Sequence, residues 1–85
     1  MGRQRRAQPK RLAYKLREIR RRLDLSQQEM AERLQHVPSP PYPGLISRYE
    51  QGKAEPSLLV LLEYARFAGI SMDVLVDDKQ NLPKK

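Results

Sequence analysis

The chain has 85 residues, no cysteine and a formal net charge of +7 at pH 7. A domain of this size buries only about 60% of the surface its unfolded chain exposes, and without thiols it has neither disulfides nor thiolate metal sites, so stability rests on helix packing. No apolar run approaches the roughly 18 residues of a membrane span and the charged start lacks the apolar stretch of a secretory signal, which predicts a soluble cytoplasmic protein with no membrane partner.

The charge is concentrated at one end. Residues 1–23 carry Arg3, Arg5, Arg6, Lys10, Arg11, Lys15, Arg17, Arg20, Arg21 and Arg22 against the single acid Glu18, while the remainder of the chain sums to −2. Such an excess suits a polyanion, because each cation placed on a phosphate releases condensed counterions.

Residues 1–9 have no apolar period and read as a flexible basic arm. Leu12, Leu16, Ile19 and Leu23 recur at steps of four, three and four, which predicts an amphipathic first helix over 10–23 with Arg11, Lys15, Arg17, Arg21 and Arg22 on its other faces. Ser26 followed by Glu29 is a capping box, so a second helix starts near Gln27, runs to about 34 and buries Met30, Ala31 and Leu34.

Residues 35–44 then halt helix formation. Pro38, Pro40, Pro41 and Pro43 lack amide donors and push their predecessors toward extended geometry, which predicts a polyproline II excursion between Val37 and Tyr42. Pro43 suits the first position of a third helix ending at Gln51, with Gly52 as left-handed terminator. Ile46, Tyr49 and Glu50 share its inner side, and Gly44, Ser47, Arg48 and Gln51 its outer side.

A fourth helix over 57–68 is predicted to bury a stripe of Leu58, Leu61, Leu62, Ala65 and Ala68, broadened by Leu59, Val60 and Phe67, and to stop at Gly69. Ser71 is placed to cap a short fifth helix containing Met72, Val74, Leu75 and Val76, which Asp77-Asp78 ends. No segment alternates with period two, so the expected class is all-α: a five-helix domain over 10–78 with an extended proline-rich loop, and a tail over 79–85.

The ordered set Ser26-Gln27, Met30-Ala31, Ile46-Ser47-Arg48-Tyr49-Glu50, Gly52-Lys53, Pro56-Ser57 and Gly69-Ile70-Ser71-Met72-Asp73 resembles the lambda-repressor-like helix-turn-helix family, the Cro/repressor or XRE type, over about residues 12–76. The resemblance implies a bacterial or phage transcription regulator, a repressor that binds double-stranded DNA as a homodimer with its third helix in the major groove. It further implies that Gln27 and Lys53 bond DNA phosphates, that Gln28 is a second phosphate candidate, and that Arg20 and Glu50 form a structural ion pair between the first and third helices. Arg17 and Arg21, and Arg3, Arg5 and Arg6 of the arm, are further phosphate candidates.

Arg48 is the leading base-reading candidate, since an arginine can bond both O6 and N7 of guanine. Ser47, Leu45 and Gln51 come next. The chain departs from the family where polar readers usually precede the buried apolar residue: Pro43 and Gly44 stand there, and the joint lacks the usual turn glycine. Tyr42 or Leu45 against thymine methyls, and Gly44 as a point of close backbone approach, are the alternatives this leaves. The rival reading is an antitoxin-like or adaptor module that docks a protein partner on the proline-rich loop.

Dimerisation and core closure are both open to Met72, Leu75, Val76 and Leu82. His36 stands alone in the loop with no paired carboxylates or nucleophile near it, so neither an enzyme nor a metal site is expected, and no cofactor or small-molecule substrate is implied. In the cell such a protein would associate with the nucleoid.

Overall fold

The computed structural model describes residues 8–84. Its elements in chain order are α1 (Leu12–Arg22), α2 (Gln27–Arg33), α3 (Pro43–Glu50), α4 (Leu58–Ala68) and α5 (Met72–Val76). All five expected helices are present, and no strand forms among the described residues.

Leu12, Leu16 and Ile19 give α1 its buried stripe, which shares one core with Met30 and Ala31 of α2 and Ile46 and Tyr49 of α3. The capping box forms as the sequence predicts: Glu29 N donates to Ser26 Oγ at 3.0 Å and Ser26 N donates to Glu29 Oε1 at 2.8 Å. Two orphan donors of the first turn are thereby satisfied.

α1 and the segment that ends α5 cap each other across roughly sixty residues of chain. Arg11, the residue before α1, offers no capping side chain. The carboxylate of Asp78 does that work, accepting from Lys10 N at 2.8 Å and Arg11 N at 2.9 Å. In return Lys15 of α1, predicted on a solvent face, is fully buried, and its Nζ donates to Val74 O at 2.7 Å and Asp77 O at 2.9 Å at the C-terminus of α5. A cation there complements the helix dipole. Burial and the like charge of Arg11 lower the Lys15 pKa, while the two backbone donors hold the Asp78 carboxyl below its ordinary range.

The fourth helix starts one residue later than expected and ends at Ala68 as expected, and its buried face matches the expected stripe at Leu61 and Ala65 but not at Leu58. Ser57 is its N-cap, with Oγ accepting from Val60 N at 3.3 Å. Val60, Leu61, Tyr64 and Ala65 are buried, whereas Leu58 is 70% exposed and Leu59 47%. Gly69 closes α4 at φ +68°. Ser71 occupies the N-cap position of α5 without making a side-chain capping bond.

Residues 35–42 do not run as polyproline II. Turns continue past α2, with Val37 N donating to Leu34 O at 3.2 Å, and Ser39 adopts φ +50°. A left-handed residue is incompatible with a continuous polyproline helix. The segment bends back on itself, burying Val37 and Pro41 in the body of the domain. His36 is largely exposed and places Nε2 3.1 Å from Glu63 Oε1 on α4.

Leu75 is buried, and Met72, Val76 and Leu82 pack half-buried against the core, so these four residues close the domain. The tail lies against α1, with Arg22 Nη1 donating to Pro83 O. No helix of the described residues is long and apolar enough to cross a membrane.

Candidate nucleic-acid interface

α3 presents two chemically distinct sides. Ile46 and Tyr49 anchor it in the core, while Gly44, Arg48 and Gln51 are exposed and Ser47 is half-exposed. Pro43 stands at the first helical position, where a missing N–H costs nothing, and the Tyr42 carbonyl accepts from Leu45 N at 2.9 Å and Ile46 N at 3.0 Å. At the other end Gly52 turns the chain at φ +74° and exposes Lys53.

Glu50 fixes the orientation of this helix. Arg20 Nε donates to Glu50 Oε2 at 2.7 Å and Arg20 Nη2 to Glu50 Oε1 at 2.9 Å, a two-pronged pair whose side chains are only 15% and 5% exposed. Arg20 Nη1 also donates to Leu25 O at 2.8 Å, before α2. Gln27 Nε2 donates to Glu50 Oε1 at 3.2 Å, so one carboxylate gathers side chains from α1 and α2 onto α3. The Glu50 hydrogen bond raises the Arg20 pKa above its already high ordinary value.

The same contact modifies the expectation for Gln27. One of its amide protons is committed to Glu50, which leaves the second proton for a phosphate. Gln28 beside it is exposed. Arg17 and Arg21 are exposed on α1, and Arg21 borders the cleft formed with Asp24, Leu25 and Ser26 ahead of α2. Arg3, Arg5 and Arg6 lie outside the described residues, but Gln8, Pro9 and Lys10 line a cleft with Gly52 and Ala54, beside the turn that carries Lys53.

On the outer side of α3, Gln51 Nε2 donates to Ser47 Oγ at 2.9 Å. Among the described residues Arg48 makes a single long contact, 3.4 Å from Nη2 to Lys53 O, which leaves its guanidinium largely available to them. Leu45 is half-buried against the core, which removes much of its side chain from the outer surface. The Tyr42 side chain is 61% exposed at the start of the helix. Burial, and Tyr42 nearby, raise the pKa of the Tyr49 phenol.

Sequence reasoning missed the Gln27–Glu50 bond and the remote capping by Asp78. The first had no local signal, and the second joins residues whose proximity only the folded chain creates. No group of three or more His, Cys, Asp or Glu side chains that could hold a metal ion occurs among the described residues.

No curated protein matches the chain. The model of a helix-turn-helix domain matches residues 11–78, which span α1 through α5 and the bent proline segment between α2 and α3. On that match and this geometry, the chain belongs to the helix-turn-helix domain family.

Proposed function

We propose that this protein is a sequence-specific double-stranded-DNA-binding transcriptional regulator of the lambda-repressor-like type, a repressor that lays α3 in the major groove. The observation that carries the reading is the division of α3: its inner side is locked by Ile46, Tyr49 and the Arg20–Glu50 pair, and its outer side offers Arg48, Ser47 and Gln51 to a partner.

Arg48 bonds O6 and N7 of guanine. Ser47 orients the Gln51 amide, whose carbonyl oxygen and second N–H match N6 and N7 of adenine. Lys53, Arg17, Arg21, Gln28 and the remaining proton of Gln27 engage phosphates, which position the domain without reading sequence. Arg3, Arg5 and Arg6 extend that contact along the backbone. Two copies place their third helices in successive major grooves about 34 Å apart. The apolar surface for the second copy is supplied by the exposed Leu58 and Leu59 of α4 or by the half-exposed Met72, Val76 and Leu82. The protein works in the cytoplasm on the nucleoid.

Selection of bound duplexes from a random pool, followed by salt titration of the winner, tests this. The expected result is one preferred sequence whose binding constant falls with salt at a log–log slope of about −0.9 per phosphate neutralised. Equal affinity for unrelated duplexes would overturn it.

A further inference from the structure

The start of α3 lacks the polar side chains that would read base edges there, and the space is filled in another way. Gly44 has no side chain, and a Cβ placed on it would lie 3.3 Å from Cε2 and 3.5 Å from Cδ2 of Tyr42. The aromatic ring therefore rests against Gly44, over the outer side of the first helical turn, and remains 61% exposed.

The backbone that carries the ring is held in place. Tyr42 holds φ −102° and ψ 167° as the N-cap, its carbonyl accepts two amides of the first turn, and Pro43 fixes the next φ. A tyrosine also has few rotatable bonds to immobilise on contact. On the side away from α3's outer face, Pro40, Pro41 and Pro43 line the cleft that Tyr42 borders, opposite Gln28, Glu32 and Gln35 of the α2 side. An aromatic face has little to offer the polar atoms of a base pair. The apolar group that a standard base pair presents in the major groove is the C5-methyl of thymine.

We infer that Tyr42, seated on Gly44, is a specificity-determining residue that recognises the methyl group of a 5-methylpyrimidine, thymine in ordinary duplex DNA. This rests on the duplex-DNA reading above and adds to it the chemistry of one subsite. Gly44 contributes as the seat of the ring.

The test uses the full chain and its preferred duplex. Each thymine is replaced singly by deoxyuridine, which differs only by the missing methyl, and affinity is measured by fluorescence anisotropy. At one position in the half-site the unsubstituted protein should lose about three- to tenfold in affinity. Tyr42→Ala should show no such loss, Tyr42→Phe should retain it because the ring and not the hydroxyl is used, and Gly44→Ala should weaken it by displacing the ring. Melting curves establish that each variant is folded, as expected for an exposed side chain. A preferred duplex with no methyl-sensitive position, or one whose sensitivity survives in Tyr42→Ala, overturns the inference alone. Absence of any preferred duplex overturns the DNA reading, and the inference with it.

Discussion

Replacing Glu50 by glutamine should unseat α3 without altering its outer surface. The carboxylate side chain is 5% exposed, both its oxygens accept from Arg20 at 2.7 and 2.9 Å, and one also accepts from Gln27. Removing one partner of a buried pair costs about 3–5 kcal/mol, because the other charge is left uncompensated. Glutamine keeps one acceptor, which places the expected loss near the lower end, roughly 3 kcal/mol. For a domain of this size that corresponds to a melting temperature lower by roughly 10–25 °C. The total stability expected is only about 4–13 kcal/mol, so the variant is near the edge of folding.

Far-UV circular dichroism melts and urea titrations measure the loss. A double variant, Arg20→Met with Glu50→Leu, separates lost attraction from stranded charge. It should lose less than either single variant, since neither ion is then buried alone, although the Leu25 carbonyl forfeits its Arg20 donor. Glu50→Gln within about 0.5 kcal/mol of the parent would refute the reasoning and would make the pair a bystander at the domain surface.

Other perturbations test other contacts. Asp78→Asn should flatten the acid limb of the stability profile: a depressed carboxyl pKa contributes stability present above its unfolded value, near pH 4, and lost as pH falls through the folded value. Tyr64 is buried and its phenol pKa is raised by burial first, so its contribution is full below about pH 10 and lost as pH rises further; Tyr64→Phe should delay alkaline unfolding, read by denaturant titration across that range. Ser26→Ala removes the acceptor for Glu29 N and should cost about 1 kcal/mol in thermal or urea unfolding. Hydrogen exchange at Val37 should quicken in His36→Ala, because the bend loses its contact with Glu63 on α4.

Local signals in the sequence carried much of the fold. Ser26 and Glu29 identify the start of α2 within four residues of chain, and Gly52 and Gly69 both take the left-handed conformation at helix ends. The face of α1 was readable because its apolar residues are spaced. The face of α4 was readable only in part: Leu61 and Ala65 are buried as expected, but Leu58-Leu59-Val60-Leu61-Leu62 is an unbroken apolar run with no phase, so the packing of neighbours left Leu58 outside and took Tyr64 inside.

The contacts that were invisible are those between residues far apart in sequence. Lys15 looks like any lysine of a basic helix until α5 brings two carbonyls to its ammonium. Asp78 looks like the end of α5 rather than the cap of α1. The proline segment misled for a different reason. Its composition favours an extended conformation, yet burial of Val37 and Pro41 and the left-handed Ser39 fold it back. At the candidate interface, the outer face of α3 could be read from period alone, whereas the seating of Tyr42 on Gly44 needed coordinates.

The central claim is that the outer side of α3 reads sequence while the turn after it holds the backbone. The most direct test is the ratio of affinities for the preferred and a scrambled duplex, measured for Arg48→Ala and Lys53→Ala at one fixed salt concentration. Arg48→Ala should lower that ratio about 5- to 150-fold, whereas Lys53→Ala should weaken both duplexes alike and reduce the salt slope by about one. A ratio unchanged by Arg48→Ala would contradict the account.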